Sequence, residues 1–179
     1  MAPTPRATRL ASVLAAVTLA VLIGACGGGA TSALRCRAPR TMKAIVQTSD
    51  RLNLDDTGRS LATVLRLYQL KGIARFEGAD FEEIWLQADA TLEDELVKVE
   101  EVTLFPSERV TRSLELAADV AYVVAVALFR QPAGVSWRNI YQLPLERCGS
   151  SGASPVTRRY LLEDSRIEVR VAPQTGKGK

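Results

Sequence analysis

Eight short stretches in which apolar and polar residues alternate constrain this chain more than any other feature. They run Thr41 to Ser49, Thr63 to Leu70, Lys98 to Phe105, Val110 to Leu116, Tyr122 to Arg130, Trp137 to Leu143, Thr157 to Leu162 and Arg166 to Val171. A period of two sends successive side chains to opposite faces of a strand, so each stretch has one face to bury. In the last, Ile167, Val169 and Val171 share one face while Glu168 and Arg170 share the other. Residues 121–129 are apolar on both faces and predict a central strand covered on both sides. Between the second and third stretches, Phe81, Ile84, Trp85, Ala88, Leu92 and Leu96 recur at three- and four-residue spacing. That spacing predicts an amphipathic helix over residues 79–96, broken near Ala90. The expected fold is therefore mainly β: a two-sheet β-sandwich of about eight strands with a helical insertion between strands two and three.

The first residues follow a different logic. Arg6 and Arg9 precede an uncharged apolar run from Leu10 to Ala25, followed by Cys26 and three glycines. A charged head and a run too short for the roughly 20 residues of a spanning helix describe a signal peptide. Ile23-Gly24-Ala25-Cys26 resembles the bacterial lipobox: an aliphatic residue, two small ones, then the cysteine that receives lipid. Acyl chains contribute about 0.8 kcal/mol per buried methylene, so a triacylated cysteine would hold the protein to a membrane without a protein span. Gly27, where an Asp would favour inner-membrane retention, directs the expectation to the outer membrane, facing the periplasm. The expected order is a signal peptide (1–25), a lipidated cysteine with a flexible tether (26–40), the sandwich (41–172) and a disordered tail (173–179).

Composition excludes several functions. Without Arg6 and Arg9 the mature chain carries 21 Lys and Arg against 20 Asp and Glu, too balanced to hold a phosphate backbone, and nucleic acid is not expected as a partner. The chain has no histidine, the usual general base and metal ligand. No Gly-x-Ser-x-Gly elbow is present, and no catalytic site is expected. Residues 77–101 hold ten carboxylates against Lys98 alone, but their spacing lacks the alternating ligands and central glycine of a calcium loop. They read as a solvated helix face, with a basic partner as the other reading; no metal, cofactor or small-molecule substrate is expected. Trp137 and Tyr141 beside Arg138 read as packing residues rather than a stacking surface. If Cys26 is lipidated, Cys36 and Cys148 remain, joined by one bridge in an oxidising compartment or left as free thiols. The segment Leu52, Asn53, Leu54, Asp55, Asp56, Thr57, Gly58, Arg59, Ser60, Leu61, Ala62 is long for a hairpin and mixes apolar with turn-forming residues, as binding loops do.

Leu52-Asn53 followed by Gly58-Arg59, then 64–71 (VLRLYQLK) and Ala79-Asp80-Phe81, resemble the TssJ family of type VI secretion lipoproteins. Residues 104–108 (LFPSE) and 124–130 (VAVALFR) before Trp137-Arg138 continue the likeness in order. The segment Ser60-Leu61-Ala62 departs from it, since a proline commonly follows the Gly-Arg pair. The resemblance implies a transthyretin-like sandwich and a non-enzymatic anchor. It also implies a partner, the periplasmic C-terminal domain of TssM, gripped through the loop between the first two strands, here Leu52 to Ala62. A transthyretin-like lipoprotein that binds a small molecule or glycan is the rival reading.

Overall fold

The computed structural model describes residues 35–36, 40–147 and 155–170, with 35–36 and 146–147 given by backbone alone. In chain order the main elements are β1 (Arg40–Leu52), β2 (Thr63–Leu70), α1 (Ala74–Gly78), α2 (Phe81–Leu86), α3 (Ala88–Leu92), β3 (Leu96–Leu104), β4 (Arg109–Leu116), β5 (Tyr122–Ala127), β6 (Arg138–Gln142), β7 (Val156–Asp164) and β8 (Arg166–Val169). All eight alternating stretches are strands, with ends that shift by a few residues. Two four-stranded sheets result, ordered β8-β7-β1-β4 and β3-β2-β5-β6. Among the described strands only β1 and β7 pair in parallel.

The sheets face each other through their apolar rows. Met42, Ala44 and Val46 of β1 are buried, as are Leu114 and Leu116 of β4. In the other sheet Leu65 lies opposite Ala127 and Leu67 opposite Ala125, so these four share one buried face. The alternate residues explain why β5 is apolar throughout. Tyr68 lies opposite Val124 on the outer face, and the helical insertion covers that face. The Tyr68 hydroxyl donates to the Ile84 carbonyl at 3.0 Å, and Phe76 packs between Tyr68 and Trp137 with ring centroids 6.3 Å from each. A central strand between a second sheet and a helical layer has no solvated face, hence no polar alternation.

The insertion is more divided than the once-broken helix that its periodicity predicts. It is three short helices and a 3-10 turn at Glu93–Glu95, and the break falls at Gln87 rather than Ala90. The start of α2 is locally encoded: the Glu83 amide donates to the Asp80 side chain, and the Asp80 amide donates to the Glu83 side chain, both at 2.9 Å. Its end is tertiary. In a continuous helix the carbonyls of Ile84 and Trp85 would accept from amides four residues on. Here they accept from the Tyr68 hydroxyl and from Arg66 Nη1 at 2.6 Å, so side chains of β2 take the acceptors that would have continued the helix.

Arg35–Cys36 pairs antiparallel with Glu146–Arg147, and β1 begins at Arg40. Among the described residues no helix is long and apolar enough to cross a membrane. Cys26, Cys148, the leader and the 173–179 tail lie outside the described residues.

Candidate functional site

The segment from Leu52 to Ala62 leaves the far end of β1 from Arg40 and returns into β2. Its two ends are closed by backbone: the Leu61 amide donates to the Leu52 carbonyl at 3.1 Å, and the Asn53 amide to the Asp164 carbonyl at 2.6 Å. Leu52 and Asn53 lie beneath the surface, Asn53 only 4% exposed. Asn53 is a hub. It adopts φ 49°, a left-handed conformation that Asn tolerates better than most residues. Its Nδ2 donates to the Ala62 carbonyl at 3.3 Å, and its Oδ1 accepts the Arg130 amide at 2.8 Å. Asn53 therefore holds both stems of the loop and ties them to the β5–β6 connection.

Asp55 organises the apex. Its Oδ1 accepts from the Thr57 hydroxyl at 2.6 Å and from the amides of Thr57 and Arg59 at 2.9 Å, while Oδ2 accepts from Arg59 Nε at 3.1 Å. The Gly58 amide returns to the Asp55 carbonyl at 2.9 Å, with Gly58 at φ 79°, where a side chain would be strained. These donors, the Thr57 hydroxyl foremost and then the Arg59 amide, stabilise the ionised carboxyl and lower its pKa to about 2. Because that value lies below the ordinary carboxylate range, the order Asp55 imposes is complete above about pH 4 and is lost as pH falls through 2. The Thr57 and Arg59 amide resonances should hence titrate together with a midpoint near pH 2. A midpoint near 4 would show that the cap is absent in solution.

With Asp55 turned inward, the side chains of Asp56, Thr57 and Arg59 are exposed around the apex. Arg130, from the β5–β6 connection, reaches Asp56 at 3.3 Å. Beside the loop lies a groove of about 310 Å³ bordered by Val64, Thr103, Leu128 and Phe129. Leu128 exposes apolar surface there. Sequence reasoning did not include Arg130 or Leu128 in this site. They are separated from the loop by some 70 residues, and neither the 124–130 stretch that holds them nor the turn Gln131-Pro132-Ala133-Gly134 that follows places them beside it.

The other candidates fall elsewhere. Trp137 is buried against Phe81 at 5.1 Å, and Tyr141 is half-buried with Arg158 over its ring at 4.5 Å, so both pack. Trp85 stacks on Phe81 at 5.7 Å and lies under the Arg66 guanidinium at 4.0 Å, which commits its ring to protein partners. Of the carboxylates in 77–101, Glu93 pairs with Arg75, Glu100 with Lys98 and Glu101 with Arg66. Among the described residues no group of three acidic or cysteine side chains is arranged to hold a metal ion.

Residues 40–174 match the model of the family described as type VI secretion lipoprotein, VasD, EvfM, TssJ. Among solved structures, the type VI lipoprotein TssJ1 from Pseudomonas aeruginosa is 26% identical over 75% of this chain and 99% of its own, with a TM-score of 0.65. The Serratia marcescens Lip protein, a membrane-bound component of the type VI secretion system, is 17% identical over 73% of this chain and 97% of its own, with a TM-score of 0.67. A chain in the structure of the TssM C-terminal domain from EAEC is 20% identical over 74% of this chain and 99% of its own, with a TM-score of 0.60. The latter two show the fold. No curated protein matches the chain.

Proposed function

The chain belongs to the TssJ family of type VI secretion lipoproteins, and from that membership we propose that it ties the secretion system's trans-envelope complex to the outer membrane by gripping TssM. The family is structural rather than enzymatic. Lipid on Cys26 holds one end, and residues 52–62 hold the periplasmic C-terminal domain of TssM at the other. The observation that carries this reading is the path of β1. Its 13 residues span about 40 Å, from Arg40 beside the expected tether to Leu52 at the base of the loop. It is hydrogen-bonded on both sides, to β4 and to β7, so load between lipid and partner passes along a strand locked into a sheet. The mechanism is linkage: a preordered apex presents polar groups and an adjacent apolar groove without paying for loop ordering at the moment of binding. Full-length protein solubilised from membranes should capture TssM, and a variant with residues 54–60 shortened should not. Equal capture by both would overturn the assignment of the loop.

We also propose that Cys36 and Cys148 form a disulfide. The short ladder sets Cys36 opposite Glu146, two positions before Cys148. Such a bridge closes a long loop, which in the chain-entropy model stabilises by about 4 to 5 kcal/mol, and it fastens the start of the domain to residues after β6. The intact mass of the exported protein should rise by about 2 Da on reduction of its single bridge. An unchanged mass would leave two thiols.

A further inference from the structure

Two opposite lateral faces of the sandwich carry complementary unpaired charge, each around an apolar feature. On the outer face of β8-β7-β1-β4, Ile45 lies beside Arg159 and Gln47 beside Arg109. The Arg170 amide donates to the Arg159 carbonyl at 3.0 Å. Ile45 and Gln47 thereby line a hollow of about 220 Å³ ringed by Arg109, Arg159 and Arg170. None of these arginines, nor Lys43 two residues along β1, forms an ion pair among the described residues, although Arg166 on the same face pairs with Glu163 and Glu168. Natural sheet faces rarely gather half-buried guanidiniums such as Arg159 without a counter-charge.

The far face is the helical layer over β2 and β5. Leu86, at the end of α2, is 71% exposed. Glu82 lies one turn earlier on the same helix face, and Asp89 borders the same cleft as Leu86. Glu82 and Asp89 form no ion pair among the described residues. The acidic surface alone indicates nothing; an exposed leucine flanked by free carboxylates, however, is the counterpart in shape and sign of a hollow lined by Ile45 and ringed by free guanidiniums.

We propose that the outer face of β8-β7-β1-β4 docks the helical face of a second copy of this chain, with Leu86 seated over Ile45 and with Glu82 and Asp89 facing Arg109, Arg159 and Arg170. The contact is heterologous, so a docked pair keeps one basic face on one copy and one acidic face on the other for further neighbours. The contact joins two broad faces of the sandwich rather than the end of β1 that carries the 52–62 loop. Confinement to one membrane raises the local concentration that a modest charged contact needs. An anionic bilayer would satisfy the arginines but gives no role to Leu86.

The test uses full-length lipidated protein in its own membrane, with a photoreactive residue replacing Gln47 beside the hollow. A dimer crosslinked to residues 82–89 of a second copy is expected. Arg159→Glu with Arg170→Glu, and separately Glu82→Lys with Asp89→Lys, should each lower its yield at least tenfold. Combining all four should restore the yield to within about twofold, since the combined variant re-forms the pairs with signs exchanged. Capture of TssM should be unchanged throughout, which separates this contact from the loop. Absence of the dimer, crosslinks only to lipid or another protein, failure of the combined variant to restore it, or loss of TssM capture would each overturn the proposal.

Discussion

Replacing Cys26 by Ser is expected to move the protein from the membrane pellet almost entirely to the soluble periplasmic fraction, with the melting temperature of the domain unchanged. Each acyl methylene buried in the bilayer contributes about 0.8 kcal/mol, so the anchoring energy of the chain would reside in lipid on one thiol. Among the described residues no helix is long and apolar enough to cross the membrane in its place. Cys26 precedes β1 in the sequence, so its replacement leaves every residue of the described core unchanged. A variant that stays in membranes through a carbonate wash would contradict the lipid assignment.

The second large effect is expected at Asn53. Asn53→Ala removes the bonds to the Ala62 carbonyl and the Arg130 amide and leaves alanine at a φ of 49°. Two orphaned backbone groups and a left-handed alanine together cost about 3 kcal/mol, which lowers Tm by roughly 10 °C for a domain of this size. Asn53→Gly relieves the φ but not the bonds, so about 1 kcal/mol should return. TssM affinity should fall at least tenfold in Asn53→Ala, because the partner must then order the loop as it binds. Equal effects of Ala and Gly would show that φ contributes nothing.

Asn53 also marks where sequence reasoning stops. Local patterning predicted the eight strands because burial on one face is written into alternate residues, as in Met42, Ala44 and Val46. It predicted the all-apolar β5 as a central strand for the same reason. It placed the break of the insertion near Ala90 rather than at Gln87, where it is set by Tyr68 and Arg66 reaching across from β2, an interaction with no periodic signature. The loop was legible as a segment but not as a device. Within it, Asn53 turns inward to Arg130 and Asp55 is occupied in capping, so the side chains open to a partner narrow to the apex and the neighbouring groove. The charge opposition of the two faces was equally hidden, since Arg109, Arg159 and Arg170 come together only through strand register.

The central claim is that this domain is one grip of a trans-envelope link, and a calorimetric titration tests it directly. The domain without residues 1–26 is titrated with the periplasmic C-terminal domain of the TssM encoded beside it, for wild type and for a variant with residues 54–60 shortened. Saturable binding by the wild type is predicted, with a loss of at least about 1.4 kcal/mol, or tenfold, in a variant that melts normally. A wild-type domain that gives no binding, or a shortened loop that binds as tightly, would contradict the account.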